Sequence, residues 1–358
     1  MRVLFHEGAS RWSGRTRAFT EAGRLLRDRG YQVTFACRTG SPVAATISDA
    51  GFEVVAVDET PIWGAPVRQF AAGLVEHFVE VIFVHSAEAH LFAAAAVRIA
   101  ERGAVVRRIE AGTRFRLGPR ALLARRLAAS GVLFADPLSE RDAPSRGFAF
   151  ESGVAPLGVR VHDRMPRAPR DDRAPVRVAC LMDGDNRPAV ATVLRAFALL
   201  AARHPDVTLS LIGPGADHDD LRLHAAALGI TTRVAYAASP RDHDAAVDAA
   251  DIGWVVAQRD DAVFGCLDCM ARGIPLLAER TPLLQRVIVD GETGHLVDAD
   301  DMSGAAALLA ALIASADRRT RMGDAGRVRA ARDYPEQAMA DGVQAVVERA
   351  RDRSRWIT

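Results

Sequence analysis

Twice along this 358-residue chain, short β-branched runs alternate with amphipathic helical stretches, and a polar break separates the two series. In the first series "RVLF" gives way to a helix through "RAFTEAGRLLRDRG", where Phe19, Ala22, Leu25 and Leu26 share one face at the 3.6-residue period. "YQVTFAC", "FEVVAV", "VEVIFVH", "AVVRRIEAG" and "GVLFA" read as further buried strands, and "FAFESGVAPLGV" as the last of them. The stretches between carry helix periodicity, as in "AHLFAAAAVRIAERG", which ends on a glycine. The break, "RVHDRMPRAPRDDRAP", is rich in Pro, Arg and Asp and has no apolar period. After it come strand "VRVACLM", helix "AVATVLRAFALLAARH", strand "VTLSLIG", helix "DDLRLHAAALG", strand "RVAYA", helix "DHDAAVDAA" and strand "IGWVVA". Strand "IPLLAE", a helix near "PLLQRVIVDG", "GHLVDAD" and two closing helices from "ADRRTRM" onward complete the series. Alternation of this kind predicts parallel sheets covered by helices. The expectation is an α/β chain of two Rossmann-like, doubly wound domains facing a central cleft. Their bounds are 1–160, a linker at 161–175, and 176–335, with a last helix at about 336–358 that can pack back on the first domain.

A composition of 49% hydrophobic and 25% charged residues fits soluble globular domains. The net charge of +1 argues against dedicated nucleic-acid binding, which shows as a basic excess. The chain holds no lysine, so every basic side chain is an arginine and any cationic role falls to guanidinium. Four cysteines (Cys37, Cys180, Cys266, Cys269) are too few and too scattered for a disulfide scaffold. The start "MRVLFHEG" reads directly as a strand, without a signal-peptide run, and no later window is long and apolar enough to span a bilayer. The expected location is the cytoplasm. Arg107, Arg108, Arg114, Arg116, Arg120, Arg125 and Arg126 stand against a single acid, Glu110. That segment, 107–126, reads as a solvated face, as a contact for an anionic acceptor, or as a peripheral contact with the anionic inner membrane.

The stretch "RDDAVFGCLDCMARGIPLLAE" (259–279) reads as a short glycine-bearing turn with acids at both ends, followed by helix, Gly-Ile-Pro and strand. Together with "RPAVATVLRAFALLAARHPDVTLSLIGPG", "VIVDGETGHLVDADD" and the opening "EGASRWSGRTRAF", it resembles retaining glycosyltransferases of family four, which have the GT-B fold. The resemblance follows the same order over nearly the whole chain. It implies a hexosyltransferase that takes a nucleotide-sugar donor, transfers to an acceptor hydroxyl with retention, and needs no metal or other cofactor. The acceptor is a small molecule, a glycan or a lipid-linked species.

Carried over position by position, the resemblance gives Asp268 to the ribose diol and Asp260 to the donor sugar, with Asp261 as a rival because Phe264 and Gly265 fall two residues late. Both carboxylates are Asp where the family has Glu. Arg187 stands near the family's Lys. Gly213 and Gly215, the turn Ser13–Gly14, and the Gly265–Cys266 pair would face the donor; Ser13 also reads as a helix cap, and Arg15 and Arg17 either add charge or are solvated. No Arg stands near Met182 or Asp183 where relatives carry one, and "DGDN" (Asp183, Asp185) reads as an Asp-x-Asp metal motif or as a turn and helix cap. A histidine that relatives carry at the fifth strand is replaced here by Glu110, with His85 and His90 on the neighbouring strand as substitutes. Cys266 and Cys269 have redox-pair spacing but fall where small apolar residues pack, and read as lining. "IEAGTRF" is also similar to a run in non-hydrolysing nucleotide-sugar 2-epimerases. An epimerase-like enzyme and a GT-B scaffold without catalysis are the alternatives.

Overall fold

The computed structural model describes all residues except 58–63, 117, 144–150, 162–174, 185, 300 and 355–358, and the side chains of Glu151, Arg187, Arg353 and Ser354. The expected linker, 161–175, falls almost wholly outside the described residues. The chain divides into two compact units, Met1–Leu157 with Gln337–Thr358, and Gly158–Glu336.

The first unit runs β1 (Arg2–Glu7), α1 (Gly14–Asp28), β2 (Gln32–Arg38), α2 (Pro42–Asp49), β3 (Glu53–Val57), α3 (Ala65–Glu76), β4 (Val81–Val84), α4 (Ala87–Ala100), β5 (Ala104–Ile109), α5 (Pro119–Leu127), β6 (Ser130–Phe134), α6 (Pro137–Arg141) and β7 (Glu151–Val154). The second runs β8 (Arg177–Leu181), α7 (Arg187–Ala201), β9 (Thr208–Ile212), α8 (Asp219–Ala227), a 3₁₀ turn (Thr231–Arg233), β10 (Val234–Ala237), α9 (Pro240–Ala249), β11 (Ile252–Val255), α10 (Arg259–Ala271), β12 (Leu276–Glu279), α11 (Leu284–Val287), β13 (His295–Val297), α12 (Met302–Ile313) and α13 (Ala316–Asp333). The last helix, α14 (Glu336–Ser354), belongs to the first unit.

Both sheets are parallel. The first has the order β3-β2-β1-β4-β5-β6-β7 and the second β10-β9-β8-β11-β12-β13. In each, the strand order reverses at one point, between β1 and β4 and between β8 and β11. A reversal splays the following loops apart, and ligands of open α/β sheets bind in the opening it leaves beyond the strand ends.

Aromatic stacking fixes the first of these points. Phe5 lies in register with Phe35 on β2 and Phe83 on β4. Its ring stacks on theirs at centroid distances of 5.1 and 4.9 Å, while Phe19 of α1 meets it edge-on at 4.9 Å. Such ring pairs each contribute about 1 kcal/mol beyond their buried area. In the second unit Trp254, Phe197, Leu209 and Leu277 belong to one continuous core that also takes Leu309 and Leu312 of α12.

Three local expectations are corrected. Residues 259–271 are one unbroken helix, α10, instead of a glycine-bearing turn leading into a helix. Gly265 lies inside that helix because any Cβ there would press on the Val255 side chain of β11. The helix near "PLLQRVIVDG" shrinks to the single turn α11. Helix α12 was not anticipated: its Ala/Leu run is apolar on all sides and shows no period, although Asp301 caps it through the Gly304 amide at 2.8 Å.

Helix α14 docks on the first unit by burying Met339, Val343, Val346 and Val347. Arg29 reaches Gln344 at 2.6 Å, and Tyr31 reaches Glu348 at 3.2 Å. Gly342 allows the closest approach, since a Cβ there would collide with the Val154 carbonyl and Ala155. Gly342→Val is therefore expected to destabilise the first unit by about 2 kcal/mol through overpacking. Its urea unfolding midpoint, measured against the wild type, checks this.

Candidate functional site

In the second unit, the β8–β11 reversal point is organised by one carboxylate. Asp183, two residues beyond β8, accepts from the Asn186 amide at 2.8 Å through Oδ1 and from the Gln258 amide at 2.6 Å through Oδ2. Asn186 Nδ2 in turn donates to the Val256 carbonyl at 2.7 Å. Asn186 and Gln258 immediately precede α7 and α10, so Asp183 satisfies amides of the kind that helix starts leave open. The turn-and-cap alternative for "DGDN" describes this Asp183; Asp185 lies outside the described residues. Arg187 opens α7, and its side chain also lies outside the description.

Gly213 and Gly215 follow β9 with φ of 131° and 75°. A Cβ on Gly213 would strike the Met182 carbonyl, so backbone packing by itself requires glycine there.

Helix α10 begins on Arg259, whose φ of 52° is left-handed for a residue with a Cβ. A bend of this kind stores strain of about 1 kcal/mol and concentrates at functional positions. Behind it Asp260 is fully buried while Asp261 is only half-buried, which makes Asp261 the acid of the pair that a ligand can reach.

Asp268 lies further along α10, and its side chain keeps 2% exposure. His243 Nε2 of α9 is 2.9 Å from its Oδ2, and Arg272 Nη1 is 3.7 Å from its Oδ1. Arg272 also bonds Asp248 and Asp244 at 2.7 Å each. His243 retains 25% side-chain exposure and is the accessible end of the Asp268 pair. His243 carries no signal in the sequence, because only the tertiary placement of α9 beside α10 joins it to Asp268. Arg272 had a signal in its i,i+4 spacing from Asp268.

Cys266 and Cys269 are free thiols with no exposure. Burial pushes both thiols well up, Cys269 to about 12. Cys269 packs against Gly253 of β11, so this pair fills the interior. Among the described residues no three His, Cys, Asp or Glu side chains group in a way that could hold a metal ion.

In the first unit, Ser13 is the N-cap of α1, its oxygen accepting from the Thr16 amide at 3.5 Å, and Gly14 is the helix's first residue. Arg15 is half-buried one residue further on. Glu110 follows β5 half-buried, its carbonyl accepting from the Thr113 amide. His90 is buried inside α4 with Nε2 3.1 Å from Ser130 Oγ.

His85, directly after β4, stacks on Phe19 at 3.5 Å and places Nε2 3.5 Å from Oε2 of Glu7, the last residue of β1. Glu7 thus lies at the reversal point of the first sheet. Glu7 opens the stretch "EGASRWSGRTRAF", and only the β1–β4 pairing brings it to His85. Burial works to raise the Glu7 carboxyl, but the His85 imidazole, Arg15 and the Ala9 amide together bring it below the ordinary carboxylate value. Burial holds the His85 imidazole down to about 4 against the pull of Glu7.

The arginine run is not one surface. Arg108 is buried, Arg107 is over the Phe115 ring at 5.4 Å, and Arg120 pairs with Glu88 at 3.0 Å. Arg114, Arg116 and Arg126 are exposed, together with Leu122 and Leu123 of α5.

The two parallel sheets are those of the GT-B class of glycosyltransferase structures. HepE of Anabaena, solved with UDP-glucose, superposes with a TM-score of 0.75 over 98% of this chain and 100% of that one, at 15% identity. WaaG, a glycosyltransferase involved in lipopolysaccharide biosynthesis, does so at 0.64, over 98% and 99%, at 14% identity. Residues 185–329, most of the second unit, match the family Glycosyl transferases group 1. Curated relatives include the lipopolysaccharide core biosynthesis glycosyltransferase LpsE of Rhizobium meliloti, 29% identical over 39% of this chain and 41% of its own length. The MMP alpha-(1->4)-mannosyltransferase of Mycolicibacterium hassiacum is 29% identical over 55% and 48%. D-inositol 3-phosphate glycosyltransferase of Corynebacterium glutamicum is 32% identical over 37% and 34%. The chain thus spans less than half the length of these relatives.

Two outcomes follow from this geometry. Asp183→Ala leaves two helix-start amides without their acceptor and is expected to lower the stability of the second unit by about 2 kcal/mol, read from guanidinium unfolding. The second outcome concerns pH. His85 and His90 both have folded values near 4 against the ordinary 6.5, so between these values the unfolded chain binds the protons that the fold refuses. Stability is complete above about pH 6.5 and falls as pH drops toward 4, by on the order of 3 kcal/mol per histidine. Replacing His90 by Gln should flatten the measured stability–pH slope across that window.

Proposed function

We propose that the chain is a glycosyltransferase that moves a sugar from a nucleoside-diphosphate donor to an acceptor hydroxyl, with retention at the anomeric carbon and without a metal. The observation that carries this reading is the group 1 match over residues 185–329, in the unit whose β8–β11 reversal point holds Asp183 and the start of α10. Donor hydroxyls need carboxylates and polar side chains, and a diphosphate needs helix starts and guanidinium groups. In this reading Asp261 accepts from hydroxyls of the transferred sugar. His243, oriented by Asp268, meets the ribose. The starts of α7 and α10, with Arg187 and Arg259, stabilise the charge that develops on the diphosphate as its bond to the anomeric carbon breaks. The acceptor oxygen forms the new bond on the same face, and its proton passes to the departing phosphate oxygen.

Relatives act on a mannosyl transfer in one case and on an inositol phosphate in another, by name, which supports a polyhydroxylated acceptor. Arg114, Arg116 and Arg126, beside exposed Leu122 and Leu123, supply the charge and apolar contact for peripheral binding to an anionic bilayer.

A thermal-shift series with UDP, GDP, UDP-glucose and GDP-mannose tests the reading. A nucleotide at a hundred times its dissociation constant should stabilise by about 2.7 kcal/mol. Asp261→Asn should weaken the nucleotide sugar about tenfold and the bare nucleotide little, as expected for one lost hydrogen bond to a charged group. Absence of a shift with all four compounds overturns the proposal. Product analysis of a responding nucleotide sugar separates transfer from epimerisation.

A further inference from the structure

At the reversal point of the first sheet, four polar atoms are buried with no hydrogen-bond partner among the described residues: Glu7 Oε2, His85 Nδ1 and Nε2, and Arg15 Nε. Buried polar groups in folded proteins almost always find a partner, so such a group of atoms calls for a missing one. Glu7 retains 1% exposure and the His85 side chain 6%. The carboxylate is held in place by its other oxygen, which accepts from the Ala9 amide at 2.9 Å. The 3.5 Å separation of Oε2 from Nε2 is longer than a hydrogen bond, and leaves both atoms able to reach one shared partner.

The charges around the pair select that partner. Glu7 is ionised at neutral pH, and His85 is neutral. An anion would meet the carboxylate. A cation would meet Arg15 and Arg108, the same groups that oppose a proton on His85. Cys37, in register with Glu7 on β2, is held as a neutral thiol, pushed up to about 12 by burial and by Glu7. An uncharged hydroxyl fits: it donates to Oε2 and accepts from Arg15 Nε–H or from the protonated nitrogen of the imidazole.

We infer that Glu7, His85 and Arg15 form a binding site on the first unit for a hydroxyl of an uncharged polyol. As a subsite for the acceptor, this rests on the glycosyltransferase reading; as a polyol site it does not. Neither Glu7 nor Arg15 is needed for the fold of the sheet, whose register is set by Phe5, Phe35 and Phe83.

Saturation-transfer NMR on the full chain, with myo-inositol and methyl α-glucoside as probes, tests the site. At least one probe should bind the wild type. Glu7→Gln keeps an oxygen for Ala9 but turns the acceptor at Oε2 into a donor. It should weaken binding roughly tenfold to a hundredfold, the range for losing a hydrogen bond to a charged group. His85→Gln should weaken it similarly, and provides the second variant where circular dichroism shows Glu7→Gln misfolded. Failure of both probes to bind the wild type means that the cluster holds water alone, and overturns the inference. Equal binding by wild type and a folded variant overturns it too. A polyol that binds while no nucleotide does leaves this site standing and removes only the transferase reading.

Discussion

A carboxylate at or just beyond the end of the first strand satisfies loop amides at the reversal point of each sheet. In a parallel sheet every strand ends at the same edge, and each is followed by a loop whose backbone amides have lost their ladder partners. Where the strand order reverses, the next loops lead away in opposite directions and cannot supply those partners to each other. Glu7 meets this at β1 by accepting from Ala9, and Asp183 meets it beyond β8 by accepting from Asn186 and Gln258. Both acids stand at the reversal point, and both bind the loop that follows their own strand. Asp183 additionally ties that loop to the start of α10, across the point where the order changes.

This use of carboxylates alters the electrostatics of the candidate donor site. An acid beside a helix start opposes a bound diphosphate unless its charge is already compensated. Asp183 is compensated by two backbone amides at 2.6 and 2.8 Å, which turns a repulsive group into a structural one. Those two amides are then engaged. In the proposed donor site, the positive charge left for a phosphate is that of the remaining helix-start amides and, in a chain without lysine, of Arg187 and Arg259 at the starts of α7 and α10. Arginine also does internal work that lysine's single point charge does less well. Arg272 spans Asp244, Asp248 and Asp268, and Arg319 closes the end of α12 through the Leu312 and Ile313 carbonyls at 2.7 and 2.8 Å.

Periodicity made the strands and most helices legible, since a buried parallel strand writes a short apolar run and a covering helix writes a 3.6-residue stripe. The same logic explains α12, whose Ala/Leu run has no polar side to give a phase, and α10, where Gly265 looked like a turn but is a packing glycine against Val255. Cys266 and Cys269 were readable as interior because they fall where small apolar residues pack, and both are fully buried. Side-chain partnerships were not readable. His243 lies 25 residues from Asp268, and Glu7 lies 78 residues from His85; no spacing rule links either pair before the helices and strands are placed.

The shortened acid at 268 shows how a departure from a family pattern changes which atom does the work. An aspartate reaches one methylene less far than a glutamate from the same helix position. At 2% exposure its carboxylate stays inside, held between His243 and Arg272. The imidazole of His243, bonded to it at 2.9 Å, is the part of the pair that keeps exposure. In the proposed donor site, a carboxylate acting through an oriented histidine recognises a hydroxyl while keeping the negative charge inside, away from a phosphate. Substituting Asp268 then acts through the orientation of His243, the more exposed member of the pair.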